Sequence, residues 1–167
     1  HYLRTIADAD DITASLTPGA RVLLVGAGYI GLEVAAVITQ RGFAVTVLEA
    51  ADRVMARAVS PEVSAFYDAC HRAAGVTLQY GATVQALHGT QQVTRVETTD
   101  GHQFPCDVVI IGIGIVPNVE LAAAAGLACD NGISVDEFAR TADANVVAAG
   151  DCTNHPHPLL GRRVRLE

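Results

Sequence analysis

Charged side chains are scarce in this chain: they make up 17% of 167 residues, with 11 basic against 18 acidic and a formal net charge of -7. A shortage of cations argues against nucleic acid as the main partner, because phosphate binding needs a basic face. Long hydrophobic runs are missing too. The longest, Val108 to Pro117, is broken by glycines and falls short of the about 20 residues that cross a bilayer. The four cysteines (Cys70, Cys106, Cys129, Cys152) stand far apart, with no CxxC pair and no metal-ligand spacing. They read as buried free thiols of a protein from the reducing cytoplasm. The opening residues, His1-Tyr2-Leu3-Arg4-Thr5, carry neither a basic n-region nor an apolar h-region, so no secretion signal is expected. Internal repeats and low-complexity segments are absent.

What the chain has instead is apolar bulk. Half of its residues are hydrophobic, and its mean hydropathy is +0.31. With no membrane-length run, that composition implies a parallel sheet covered on both faces, whose strands read as continuous apolar stretches. The pattern along the chain agrees. Thr5 to Leu16 reads as a short helix closed by Pro18-Gly19. Arg21 to Val25 reads as a strand, Tyr29 to Gln40 as a helix stopped by Gly42, and Ala44 to Leu48 as a second strand. This is βαβ spacing. Ser60-Pro61-Glu62 opens another helix, with Ser60 as N-cap and Gly75 closing it. Val76 to Tyr80 is expected to be a third strand. Between Ala82 and Phe104 the period changes to two, with Thr94, Val96 and Thr98 alternating and Asp100-Gly101 as a turn, which predicts an antiparallel meander. Asp107 to Ile111 returns to an apolar strand. A short helix capped by Asn118 is expected over 118–125, with brief strands at 133–135 and 146–148. A loop is expected around His155-Pro156-His157-Pro158. The fold class is α/β: a Rossmann-like βαβ parallel sheet with an antiparallel meander.

The strongest motif is Gly26-Ala27-Gly28-Tyr29-Ile30-Gly31. A lone GxGxxG is weak evidence. This one follows a strand, opens a helix, and precedes an acid, Glu49, at the end of the next strand. Gly26 permits the tight turn, Gly28 lets backbone approach a pyrophosphate, and Gly31 lets the helix pack close to the strand. The helix N-terminus offers free N–H groups to phosphate. Glu49 lies 18 residues after Gly31, where a carboxylate can accept from both ribose hydroxyls. At about 4 Å, a 2′-phosphate would meet repulsion of up to ~4 kcal/mol from it, which favours NADH over NADPH. Arg53 and Arg57 nearby soften that exclusion. Glu33 admits two readings: an acid of the first helical turn favoured by the dipole, or a side chain reaching the nicotinamide end of the cofactor. None of the six His falls into a triad. His155 and His157 read as solvated loop residues rather than metal ligands.

Taken together, GAGYIGLE (26–33), VLEAADRVMAR (47–57), VVIIGIGIVPN (108–118) and VVAAGD (146–151) resemble the FAD-dependent pyridine-nucleotide oxidoreductases. The closest likeness is to their NADH:ferredoxin reductase branch, and it covers essentially the whole chain, including HYLRT and GRRVRLE at the two ends. The resemblance implies an NAD(H)-binding domain inserted within a larger FAD-binding domain. On that basis residues 1–18 are a connector and leading helix, 19–116 the NAD(H)-binding domain, and 117–167 a partial return into the FAD-binding domain. It implies that Gly26, Gly28 and Gly31, with Tyr29 beside them, cradle the pyrophosphate. Glu49 would bind the adenosine ribose, and Arg57 would lie beside the adenosine half. Ile30 and Glu33 would meet the nicotinamide, with Gly112 and Gly114 flanking it by backbone. Asp151 would hydrogen-bond the FAD chain. Hydride would pass from nicotinamide to flavin, and electrons then singly to an iron–sulfur ferredoxin, with no side chain here acting as acid, base or nucleophile.

The chain contains no second GxGxxG for FAD. The expectation is therefore that this chain alone binds NADH without full activity. Two other readings stay open: the corresponding domain of a disulfide reductase or NADH oxidase, and a stand-alone NAD(H)-binding module. Arg162, Arg163 and Arg165 either face an acidic ferredoxin or are a plain charged strand end.

Overall fold

The computed structural model describes residues 3–165. They divide into two compact units, the first ending at Gly114 and the second beginning at Ile115. The first unit opens with helix α1 (Ile6–Ser15), whose start is a reciprocal cap. The Thr5 hydroxyl oxygen accepts the Asp8 N–H at 3.2 Å, and the Asp8 carboxylate accepts the Thr5 N–H at 2.7 Å. Strand β1 (Arg21–Val25), helix α2 (Tyr29–Gln40), strand β2 (Ala44–Leu48), helix α3 (Pro61–Ala73) and strand β3 (Thr77–Gln79) follow. Then come β4 (Val84–Gly89), β5 (Val93–Thr98), β6 (Gln103–Pro105) and β7 (Val108–Ile111).

Four strands make a parallel sheet in the order β3-β2-β1-β7, and β4-β5-β6 form a separate antiparallel sheet. The βαβ unit and the meander thus appear as the sequence predicts. β1 sits at the middle of the parallel sheet because its residues bury on both faces. Val22, Leu23 and Leu24 are each 1% exposed. Val22 and Leu24 join Val45, Val47, Leu78, Val108 and Ile110 under α2, which contributes Leu32, Ala35 and Ile38. In the strand pairing, Leu24 stands beside Val47 and Ile110, and Val47 beside Leu78. One row of aliphatic side chains therefore crosses the whole sheet. Each such burial is worth about 1.5–3 kcal/mol at most. The opposite face places Leu23, Leu48 and Val109 against Val96 and Cys106 of the meander side. This double cover is why the strands carry no polar alternation.

At the N-terminal ends of β1 and β7, Arg21 and Asp107 form a bidentate pair with two 2.9 Å bonds. The Arg21 guanidinium and then its backbone N–H hold the Asp107 carboxyl at about 2. On α3, Ser60 has the extended backbone of an N-cap and Pro61 the first helical position, but the Ser60 side chain makes no capping bond. The α3–β3 return is held instead by Asp68, which accepts from Tyr80 and from Arg72 Nε. Burial, then Asp68, pushes the Tyr80 phenol up to about 12.

The second unit contains helix α4 (Glu120–Ala124) and strands β8 (Ile133–Ser134), β9 (Thr153–His157) and β10 (Arg162–Val164) in the order β10-β9-β8. Three expectations are corrected here. Asn118 does not cap α4; the N-cap position is Val119, with no side-chain bond. Residues 146–148 form no strand, only a single bridge between Arg140 and Val147. The His155–His157 stretch is strand β9, hydrogen-bonded to β10, not a loop. Among the described residues no helix is long and apolar enough to cross a membrane.

Candidate functional site

The C-terminal ends of β1, β2 and β7 meet around the glycine loop. The sheet order places β2 on one side of β1 and β7 on the other, so this is the point where successive connections leave in opposite directions, the usual ligand position in such sheets. Gly26 has φ +100, and a methyl carbon added there would lie 2.3 Å from the Gly112 carbonyl oxygen. Its N–H donates to Leu48 C=O at 2.7 Å, while the Gly112 N–H donates to Val25 C=O at 2.8 Å. A methyl carbon at Gly31 would sit 2.2 Å from the Gly26 carbonyl oxygen, and one at Gly112 would sit 3.8 Å from Gly31 Cα. Gly26, Gly31 and Gly112 are therefore brought together, and chain packing alone accounts for glycine at 26 and 31.

Gly28 differs. It is the N-cap of α2, with φ -81 and ψ -173, a backbone any residue adopts. A methyl carbon there meets nothing within 4 Å. Nothing in the folded chain requires glycine at this position. Leu32 N–H is the first of α2 to bond back, to Gly28 C=O at 3.0 Å, which leaves the amides of Tyr29, Ile30 and Gly31 ahead of the helical ladder. These donors and the helix dipole suit an anion. Tyr29, Ile30 and Ile113 are exposed large hydrophobic residues. They give this edge apolar surface fit for a planar ring.

Glu49 follows β2 directly, and both its carboxylate oxygens are engaged by backbone. Oε2 accepts the Ala27 N–H at 2.6 Å, and Oε1 accepts the Ala51 N–H at 2.8 Å. The carboxylate therefore stands beside the glycine loop, where the sequence places it. Ala27 is fully buried, and its C=O accepts the Met55 N–H at 2.9 Å. Two cations follow on the same connection. Arg53 is committed to the carbonyls of Ala56 and Val59 at 2.8 and 3.1 Å, while Arg57 is exposed.

The remaining candidates are less engaged. Glu33 is exposed and is the fifth residue of α2, past the first turn, so the dipole reading loses its basis. Gly114 has φ +129 with open space around it. Asp151, in the second unit, is an exposed turn residue. Arg163 is not a free cation: its guanidinium donates to the Val135 carbonyl at 2.8 Å and to that of Asn154. All four cysteines are free, but only Cys106 is buried: Cys70 is exposed and Cys129 and Cys152 are half-buried, which corrects the expectation of buried thiols. No group of three or more His, Cys, Asp and Glu among the described residues is placed to hold a metal ion.

Sequence reasoning missed Ala27 and Met55. Met55 is buried, with φ 48, and fastens the connection after β2 onto the glycine loop. The buried Ser64 hydroxyl holds the same connection from α3, donating to Val54 C=O at 2.6 Å. A left-handed methionine leaves no compositional mark. The x position of GxG was the available signal for Ala27, since any residue wedged between those glycines has its backbone committed.

The fold is a mixed α/β unit with a glycine loop at the C-terminal edge of its parallel sheet. Residues 1–164 match the pyridine nucleotide-disulphide oxidoreductase family, and the chain belongs to that family. It is 44% identical over 168 residues to rhodocoxin reductase of Rhodococcus erythropolis, across 100% of this chain and 39% of that protein. It is 46% identical over 169 residues to putidaredoxin reductase of Pseudomonas putida, across 99% of this chain and 40% of that one. Its structure matches a ferredoxin reductase of Rhodopseudomonas palustris with a TM-score of 0.92 and 40% identity, covering 99% of this chain and 41% of that chain. The chain thus spans about two fifths of the length of the relatives it matches.

Proposed function

We propose that this chain is the NAD(H)-binding portion of an FAD-dependent ferredoxin reductase serving an oxygenase system. The observation that carries the nucleotide part is Gly28: a glycine with an unstrained backbone and open space, followed by the free amides of a helix start. Gly26, Gly28 and Gly31 with the amide of Tyr29 would hold the pyrophosphate. Glu49 would hold the adenosine ribose, and Arg57 would lie along the adenosine half. Ile30, Glu33, Gly112 and Gly114 would flank the nicotinamide, and Asp151 would take the FAD chain.

When bound, NADH would supply a hydride, and FAD would serve as its acceptor and as electron donor to an iron–sulfur ferredoxin. The protein's own contribution is placement. The helix start neutralises phosphate charge, the carboxylate of Glu49 selects a ribose without 2′-phosphate, and exposed Ile30 and Ile113 give an apolar floor that keeps water from the ring. The preference for NADH has support in Arg53, whose guanidinium is already committed to two carbonyls and so does not answer a 2′-phosphate. The ferredoxin part rests on likeness to relatives at 44% and 46% identity. Free thiols suit a cytoplasmic setting. Arg162, exposed on β10, is the better candidate than Arg163 for steering an acidic partner.

The test is paired titration of the purified chain with NADH and NADPH, read by shifts of the Gly28 and Tyr29 amides. NADH binding at least tenfold tighter than NADPH is expected. Equal affinities would remove the role given to Glu49, and no binding of either would remove the site.

A further inference from the structure

The bond between Glu49 and Ala27 gives this carboxylate a second task. Ala27 is fully buried, so its N–H has no access to water and must find a partner in the protein. That partner is Glu49 Oε2 at 2.6 Å. The opposite side of the same residue is held as well, because the Ala27 C=O accepts the Met55 N–H. Glu49 is itself a fixed anchor. Its N–H donates to Gln79 C=O at 2.8 Å, its C=O accepts the Ala82 N–H at 2.9 Å, and its other carboxylate oxygen is taken by Ala51. The residue following Ala27 is Gly28, the N-cap of α2. From there run the amides of Tyr29, Ile30 and Gly31, which would face the phosphate of the site proposed above.

We infer that Glu49 is a positioning residue for the phosphate-binding loop, in addition to selecting the ribose. Its carboxylate takes up the Ala27 N–H, which removes that amide from the set that meets phosphate, and it fixes the direction in which Gly28 leaves β1. Selectivity and phosphate binding are then coupled through one side chain. Replacing Glu49 to admit a 2′-phosphate loosens the cradle that every pyridine nucleotide uses. This inference rests on the nucleotide site proposed above, and its test separates the two.

The probe is reduced nicotinamide mononucleotide (NMNH), which has a phosphate but no adenosine ribose. Binding of NMNH and NADH is followed by the Gly28 and Tyr29 amide shifts in the unsubstituted chain and in Glu49→Gln. Glutamine has the size of glutamate but only one acceptor oxygen, so in either orientation the bond to Ala27 is lost or loses its charge assistance. Loss of one charge-assisted bond is expected to weaken NMNH about tenfold and NADH by more than NMNH. If NADH weakens and NMNH does not, Glu49 acts on the ribose alone and the inference is overturned while the site stands. If NMNH and NADH move no glycine-loop amide in the unsubstituted chain, the site and the inference fall together. Hydrogen exchange of the unsubstituted chain gives a reading that does not depend on how the variant folds. The Ala27 amide should be as protected as those of Val22 to Leu24, and free exchange at Ala27 contradicts the latch.

Discussion

One methyl group, added in turn at Gly26, Gly28 and Gly31, separates what the chain needs from what a ligand needs. At Gly31 the new carbon would lie 2.2 Å from the Gly26 carbonyl oxygen. Alanine ordinarily favours a helix interior over glycine by about 0.5–1 kcal/mol, but backbone cannot yield here, and forced overpacking costs ~1–3 kcal/mol. Gly31→Ala is therefore expected to lower the melting temperature by roughly 2–12 °C, at ~2–4 °C per kcal/mol for a chain of this size. Gly26→Ala adds a second burden. Its φ is +100 and its methyl would sit 2.3 Å from the Gly112 carbonyl oxygen, so strain of ~1–3 kcal/mol comes on top of the clash. It should be the most destabilised of the three. At Gly28 two small effects oppose each other. Restricting the unfolded chain stabilises by ~0.4–1 kcal/mol, and alanine is a poorer N-cap than glycine by a comparable amount. Gly28→Ala should thus melt within about 3 °C of the unsubstituted chain while losing NADH affinity, because its methyl occupies space the folded chain leaves open. Thermal unfolding and NADH titration on all three variants decide the matter. A Gly28→Ala chain that melts like Gly31→Ala, or that binds NADH as tightly as before, refutes the reasoning.

Further outcomes follow from the same geometry. Met55 holds φ 48 with a buried side chain, so Met55→Gly should be more stable than Met55→Ala by about 1 kcal/mol, reversing the usual order; denaturant unfolding of the two variants reads this directly. Ser64→Ala leaves the Val54 carbonyl without its 2.6 Å partner and should cost ~1–3 kcal/mol. The carboxyls of Asp107 and Asp100 both stand at about 2 in the folded chain. A depressed folded value means that their stabilisation is complete above the ordinary value of 3.8 and is lost as pH falls toward 2. Asp107→Asn should flatten part of the stability–pH slope in that window, by a small amount because the Arg21 pair is half exposed. An unchanged slope would contradict the assignment.

The first unit was legible where punctuation and periodicity coincide. Gly26 and Gly42 bracket α2, and Pro61 with Gly75 bracket α3, so a stop signal stood beside each apolar pattern. The alternation of Thr94, Val96 and Thr98 marked β5 because Val96 and Thr98 are buried while Arg95 and Glu97 between them are only half-buried, although Thr94 itself is exposed. The second unit was less legible because its order comes from side chains bonding to nearby backbone. The Asp136 carboxylate accepts from Phe138 and Arg140 N–H groups, and Asp143 accepts from Asn145. Turns held this way displace the strand that Val146 to Ala148 suggests. Pro156 hid β9, yet β9 pairs with β8 only at Thr153 and Asn154, so the proline falls where that side carries no ladder. At the site, the glycines and Glu49 were readable from spacing. The clamp on Ala27 was not, since it depends on a left-handed Met55 and on burial that only the folded chain provides.

The most direct test of the central claim is the absorption spectrum of the purified chain together with NADH and NADPH titrations. A chain that binds NADH at least tenfold more tightly than NADPH, through Gly28 and Glu49, is the result this account predicts. A chain with no affinity for either nucleotide at the glycine loop, or one that takes NADPH as readily as NADH, contradicts it.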